Sequence, residues 1–421
     1  MTHGPKVMDE PMVTSRPSLA EFEGAAAFLR DVAVHTPIDV SEHLSDVLGV
    51  PVSLKLENLQ RTGSFKIRGA AYRMSRLSEQ ERARGVVAAS AGNHAQGVAR
   101  AAQKLGIAAT IFMPLGVPVP KLLATRGYGA DVVLEGENVE TPLRLAAEFA
   151  ERTGAVLIHP FDHRDVIIGQ GTLGLEIYED VPDVETVVLG IGGGGLIAGV
   201  AAAIKARAAA EGRTVRIIGV QAANSAAYPS SLAAGRPLSV ATSPTIADGI
   251  AVARPGDAPF ALIKDLVDDV VTVSDDDIAR ALLVLLERAK QVVEPAGAVG
   301  VAAILAGKVQ ATGPTVAILS GGNIDPLLLQ RVVAHGLAAS GRYMTLQIPL
   351  PDRPGQLARV SEVLSIAGAN VIEVLHTRHG QGLQISEVIL QLSVETRGED
   401  HRAHVITILE QAGFEARVMP D

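Results

Sequence analysis

The chain has 421 residues, 48% of them apolar, a formal net charge of -9 and no cysteine. That length calls for two or three domains and that composition for a large soluble core, while the negative charge and the lack of a basic stripe argue against nucleic acid as a partner. Without cysteine, disulfides, thiolate metal sites, cysteine nucleophiles and thiolate-held iron–sulfur clusters are excluded, and a cytoplasmic protein is expected.

Residues 1–18 mix charges and prolines and lack a signal-peptide apolar core, so they are expected to form a flexible lead-in. The longest apolar runs, such as Ala279 to Leu286, are too short to span a bilayer, and no membrane role is expected. From Leu19 to about residue 340 short apolar strands alternate with helices: Val52 to Leu56, Gly85 to Ala89, Ala108 to Met113, Val187 to Gly190, Ile217 to Val220 and Val316 to Leu319. This is the pattern of a mostly parallel α/β sheet covered on both faces.

The first segment of chemical interest is Ser64-Phe65-Lys66-Ile67-Arg68-Gly69-Ala70. A lysine between Phe65 and Ile67 sits in partly apolar surroundings, which disfavour the ammonium and free the amine as a nucleophile toward a carbonyl. Alone, it reads as an ordinary surface lysine. Ser90-Ala91-Gly92-Asn93-His94-Ala95-Gln96-Gly97 joins a strand to a helix, and free N–H groups at a helix start suit a carboxylate or phosphate. A plain polar loop is the competing reading there. His159, Asp162 and His163 match no metal spacing and are expected to make ordinary loop hydrogen bonds.

Gly190-Ile191-Gly192-Gly193-Gly194-Gly195-Leu196 satisfies the dinucleotide pattern G-x-G-x-x-G. That reading requires an acidic residue at the end of the next strand, where Gln221 stands. Consecutive glycines instead suit a cup of N–H groups around one terminal phosphate. The run Asp275 to Asp277 is expected to cap the helix after it. Glu294 starts another helix and either caps it or faces a site. Ser320-Gly321-Gly322-Asn323 closes a strand at the end where α/β proteins bind ligands.

The pattern changes at Ser340-Gly341. A strand (Met344 to Pro349), a helix bearing Leu357, Val360, Leu364 and Ala367, and strands Asn370 to Thr377 and Leu383 to Val394 follow. A helix (His401 to Gln411) and a strand (Phe414 to Val418) complete a ferredoxin-like βαββαβ order over 341–421, after a first domain over 19–340.

Taken together, the four motifs resemble those of the threonine dehydratases (threonine ammonia-lyases), pyridoxal-phosphate enzymes of the tryptophan synthase β-like fold, fold type II. Leu56 to Ala70 is similar to the biodegradative-type members in particular, and the C-terminal part resembles an ACT domain. The resemblance implies pyridoxal 5'-phosphate in Schiff-base linkage to Lys66, with Phe65 beside it. It further implies Asn93 at the phenolic oxygen, Gly192, Gly193, Gly194, Gly195 and Leu196 around the phosphate, and Ser320 at the pyridine nitrogen. Ser90, Ala91, Gly92, Asn93 and His94 would take the substrate carboxylate.

The activity implied is deamination of L-threonine to 2-oxobutanoate and ammonia, with L-serine as a second substrate. Two alternatives stand beside it: another β-elimination, such as on threo-3-hydroxyaspartate, and a non-catalytic amino-acid sensor. Racemase relatives carry a second serine where this chain has Ala91, and acidic cation ligands where it has Gln221 and Ala227. Poor racemase activity and no metal are therefore expected. The ACT resemblance implies a homo-oligomer (dimer or tetramer) with an amino-acid effector, isoleucine or valine first, near Asp352 to Gly355 and Gly368 to Asn370 at a subunit interface.

Overall fold

The computed structural model describes residues 15–138, 140–339, 341–378 and 386–419. Most of the expected lead-in and the first residues of the strand expected from Leu383 lie outside these. Compact packing divides the chain between Asp325 and Pro326. The helix Pro326–Ala339 thus groups with the C-terminal unit, because it packs on the first strand there, and the division falls ahead of the expected hinge.

In the first unit the strands are β1 (Ile38–Val40), β2 (Val52–Lys55), β3 (Val86–Ala89), β4 (Ala109–Met113), β5 (Asp131–Leu134), β6 (Val156–Leu157), β7 (Thr186–Gly190), β8 (Arg216–Ala222), β9 (Asp269–Val273) and β10 (Thr315–Ile318). They form a six-stranded sheet ordered β1-β2-β10-β7-β8-β9 and a four-stranded sheet ordered β5-β4-β3-β6. Every pairing is parallel except β1 with β2. All four residues of β3 and all four of β10 are buried, as strands covered on both faces must be.

Small residues set the helix packing. Helices Arg164–Asp180 and Gly195–Ala210 meet at Gly171 and Gly199, where a Cβ on Gly199 would lie 2.7 Å from Gly171 N. The second of these helices is apolar apart from Lys205 and Arg207 and is buried along most of its length. Together they pack Ile167, Leu173, Ile197, Val200 and Ile204 against Val187, Leu189 and Ile217 of the larger sheet.

The acidic run divides its work. Ser274 is the N-cap of helix Asp275–Val284, with Asp277 closing a capping box. Asp275 instead accepts from Thr245 Oγ1 (2.6 Å) and Ile246 N (3.1 Å), holding the segment before Asp248.

The C-terminal unit carries β11 (Tyr343–Pro351), β12 (Asn370–Thr377), β13 (Glu387–Glu395) and β14 (Arg417–Val418), with helices Gln356–Ile366 and Glu399–Gln411. The antiparallel order β12-β13-β11-β14 is that of the expected βαββαβ unit. Met344, Leu346, Ile348, Leu390, Leu392, Val360, Leu364 and Val405 form its core. Both Tyr343 and Asn370 pair with Glu395, whereas Pro351 pairs with Glu387. The two segments expected to share one effector, 352–355 and 368–370, therefore stand at opposite ends of the sheet, roughly 25 Å apart at strand rise.

Candidate active site

Lys66 opens the helix Lys66–Ser75 after a turn sewn to a distant loop. Ser64 bridges Gly321, Phe65 N donates to Ser320 O (3.2 Å) and Gly322 N donates to Gly63 O (2.8 Å). The Lys66 amine donates to Pro160 O at 3.0 Å and stands 5.1 Å from the centre of the Phe65 ring. Burial pushes its pKa down to about 8, against the opposing charge of Glu294. A neutral amine is thus accessible near physiological pH.

Two residues on, Arg68 anchors the same helix. It is 1% exposed, and its Nε and Nη2 grip the Glu57 carboxylate bidentately at 2.8 Å each. Its Nη1 donates to Glu176 at 2.6 Å, and buried Lys55 pairs with Glu176 (2.9 Å) and Asp180 (3.0 Å). Burial alone would raise the Glu57 pKa, but Arg68 overrides it and holds the carboxyl below the ordinary range. This ion cluster ties β2, the turn after it and helix Arg164–Asp180 to the element that presents Lys66.

The loop 90–94 follows β3 and opens the helix Asn93–Leu105. The His94 side chain turns away from the helix start: it is 5% exposed and its Nε2 donates to Ile158 O at 2.7 Å. Burial, aided by the Lys66 charge, pushes its pKa down to about 3, so the ring stays neutral. Lys121 reaches the same loop, as a Cβ on Gly92 would lie 3.8 Å from its Nζ, and it pairs loosely with Asp248 at 3.7 Å. Sequence reading had no signal for Lys121.

The glycine turn after β7 is shaped by close approach. A Cβ on Gly193 would run into the Phe161 ring, and Gly194 adopts φ +102° beneath the Tyr228 hydroxyl. The Tyr228 hydroxyl donates to Gly193 O at 3.1 Å. Gln221, standing where a dinucleotide site needs an acid, accepts from Tyr228 N (2.8 Å) and donates to Ile191 O (3.3 Å). Replacing Tyr228 with Phe keeps the ring and loses one bond to the turn. Stability, read by urea unfolding followed by circular dichroism, is expected to fall by about 0.5–1.5 kcal/mol.

Pro160-Phe161 links the two halves, meeting the Lys66 amine on one side and the glycine turn on the other. The neighbouring histidines make loop hydrogen bonds: His159 Nδ1 accepts from Asp162 N (2.7 Å) and His163 Nδ1 from Asp165 N (3.1 Å). Asp162 accepts from Asp257 N (3.1 Å) and Ala258 N (2.9 Å), capping another helix.

Ser320, 5% exposed, follows β10, and beyond it Asn323 Nδ2 donates to Asn93 Oδ1 and to Thr62 O, both at 2.7 Å. Asn93 Nδ2 donates to Glu294 Oε1 at 2.6 Å, so Glu294 faces this cluster and makes no side-chain cap on its own helix. A buried lysine amine, a glycine turn at a helix start and a buried serine thus stand on segments that contact one another, a set of groups that fits a phosphorylated aldehyde cofactor.

A family model described as pyridoxal-phosphate dependent enzyme matches residues 29–321. The chain belongs to the pyridoxal-phosphate dependent enzymes. An ACT domain model matches residues 344–414 of the same chain. This pyridoxal-phosphate enzyme is 48% identical over 403 residues to the L-threonine ammonia-lyase of Thermotoga maritima, covering 96% of this chain and 99% of that one. It is similar to the solved processed form of threonine deaminase isoform 2 from Solanum lycopersicum (TM-score 0.70, 39% identity, 79% of this chain and 98% of that one). It is also similar to maize serine racemase (TM-score 0.71, 34% identity, 77% of this chain and 99% of that one).

Proposed function

We propose that the enzyme deaminates L-threonine to 2-oxobutanoate and ammonia, and L-serine by the same elimination. The observation that carries this reading is the Lys66 amine, low in pKa and held at Pro160 O between the glycine turn and the Ser320–Asn323 loop. Pyridoxal phosphate, when bound, supplies an electron sink for the α-carbon. Lys66 Nζ would hold the cofactor covalently and, when free, would take the α-proton. Phe65 packs beside it. Gly192 to Gly195 and Leu196 would hold the phosphate with their N–H groups, and Asn93 would face the phenolic oxygen.

Ser320 would offer the pyridine nitrogen a hydroxyl rather than an anion, which would keep the sink moderate and suit β-elimination. The backbone from Ser90 to His94 receives the substrate carboxylate. The role of His94 there is confined to its main chain, since its ring is held by Ile158 O. Loss of the α-proton and the β-hydroxyl removes water, and hydrolysis of the released enamine gives the 2-oxo acid and ammonia.

Purified protein offered L-threonine and L-serine in parallel tests this directly. Faster 2-oxobutanoate from threonine is the expected result, and no 2-oxo acid from either would overturn it. A second reading, elimination on threo-3-hydroxyaspartate, is favoured by one observation: the loosely paired Lys121 ammonium beside Gly92 suits a second carboxylate.

Regulation and assembly go together in this reading. Because 352–355 and 368–370 lie at opposite ends of one sheet, a single amino acid touches both only where two copies meet. The edge strand β12, which exposes Ile372, Val374 and Leu375, supports such a homo-oligomer, dimer or tetramer. Calorimetric titration with isoleucine and valine is expected to show saturable binding that Gly368→Val weakens at least tenfold, φ there being +72°. Among the described residues no helix is long and apolar enough to cross a membrane. The absence of cysteine supports a cytoplasmic enzyme.

A further inference from the structure

Glu294 precedes the helix Pro295–Leu305, where an acidic side chain ordinarily turns onto the first N–H groups of its own helix. No such bond forms. The carboxylate, 7% exposed, turns across to the 90–94 loop and accepts from Asn93 Nδ2 at 2.6 Å. Glycines make room for it: a Cβ on Gly321 would overlap Glu294 Oε1, and one on Gly249 would lie 3.9 Å from that atom. Burying a carboxylate costs stability unless it is well paired, so packing does not account for its position.

The direction of the hydrogen bonds is fixed from the other end of the chain of amides. The Thr62 carbonyl can only accept, so Asn323 must turn its Nδ2 toward it, and the second N–H of that nitrogen goes to Asn93 Oδ1. Asn93 Nδ2 then gives one N–H to Glu294 and keeps another. Turned around, the Asn93 amide would set its oxygen against the carboxylate, two acceptors in contact.

We infer that Glu294 is a positioning residue for the cofactor: its carboxylate, with Asn323 at the other end of the amide, holds Asn93 with an N–H, rather than a carbonyl oxygen, available to the cofactor's phenolic oxygen. This rests on the cofactor roles proposed for Lys66 and Asn93. The lock depends on pH. Burial pushes the Glu294 pKa up to about 7, with Lys121 opposing, Asp248 adding, and the Asn93 bond and Lys66 opposing. Above that pH the group is a carboxylate and only accepts. Below it the acid is neutral, and the Asn93 amide loses the charge-assisted bond that holds it from this side.

The test uses the holoenzyme as wild type, Glu294→Gln, Glu294→Ala and Lys66→Ala, following the visible absorbance of bound cofactor against pH and the cofactor Kd. In the wild type the absorbance is expected to step on the acid side, a step that Glu294→Gln, nearly isosteric, loses while keeping its circular dichroism. Glu294→Ala is expected to bind cofactor roughly tenfold more weakly, the scale of one lost hydrogen bond to a charged group. An unchanged step in Glu294→Gln, together with a wild-type Kd in Glu294→Ala, overturns the inference alone. A wild-type protein without a cofactor band that Lys66→Ala removes overturns the cofactor assignment and this inference with it.

Discussion

Lys66→Ala is expected to lower kcat by more than roughly a thousandfold and to remove the visible absorbance of lysine-linked cofactor. The size follows from the two tasks given to one amine, holding the cofactor and moving the α-proton, since neither passes to a neighbour. The amine donates to the Pro160 carbonyl oxygen, which cannot take a proton, and the ring of His94, in the 90–94 loop, is held neutral by burial and by its bond to Ile158 O. The fold should survive, because the amine makes no bond on which the helix depends. With the Lys66 pKa pushed down to about 8 by burial, half of the amine is neutral at that pH and the neutral fraction saturates only in more alkaline solution. The rate at which apoprotein captures cofactor should therefore climb from neutral pH with its midpoint at about 8 and level off in more alkaline solution, as stopped-flow absorbance would show. Retained turnover in Lys66→Ala would sink the whole reading.

The second large effect concerns stability. Arg68→Met should destabilise the first unit by about 3–5 kcal/mol, because it leaves the Glu57 carboxylate, 0% exposed, without its counter-ion. Urea unfolding followed by circular dichroism measures this. Adding Glu57→Leu to Arg68→Met should recover part of the loss, since removing both charges costs less than stranding one. The sign with pH is set by Glu57, whose pKa is held below its ordinary value. Its contribution is present above the unfolded carboxyl pKa and fades as pH falls through the folded one. The gap between wild type and Arg68→Met should accordingly narrow in acid. Equal midpoints at neutral pH would show that the cluster stabilises nothing.

Much of this was legible in the residues because the signals were local. The apolar runs at β3 and β10 reveal strands buried on both faces, and the glycines after β7 reveal a turn that tolerates no side chain. What escaped the sequence depends on partners far away in the chain. Nothing near Tyr228 announces that its hydroxyl braces Gly193, nor anything near Phe161 that its ring fills the space over the same turn. Glu294 was open between capping and facing the cleft, and only the position of Asn93 decides it. Asp275 looked like a cap because it stands in an acidic run at a helix start, yet Thr245 takes it. The effector segments each carry a glycine turn, but register across β13, which no local pattern encodes, separates them.

The position of β10 bears on how the protein is made. It is the last strand of its sheet in sequence, yet it lies between β2 and β7, and the loop after it is sewn to the turn that presents Lys66. While the ribosome is still translating residues before 315, β2 and β7 each have an open edge of the kind that invites aggregation. Closing the β2 edge requires contacts between residues more than 250 positions apart, such as Val52 with Thr315, which makes folding slow. A nascent chain stalled short of Ser320 should therefore neither capture cofactor nor remain soluble without a chaperone.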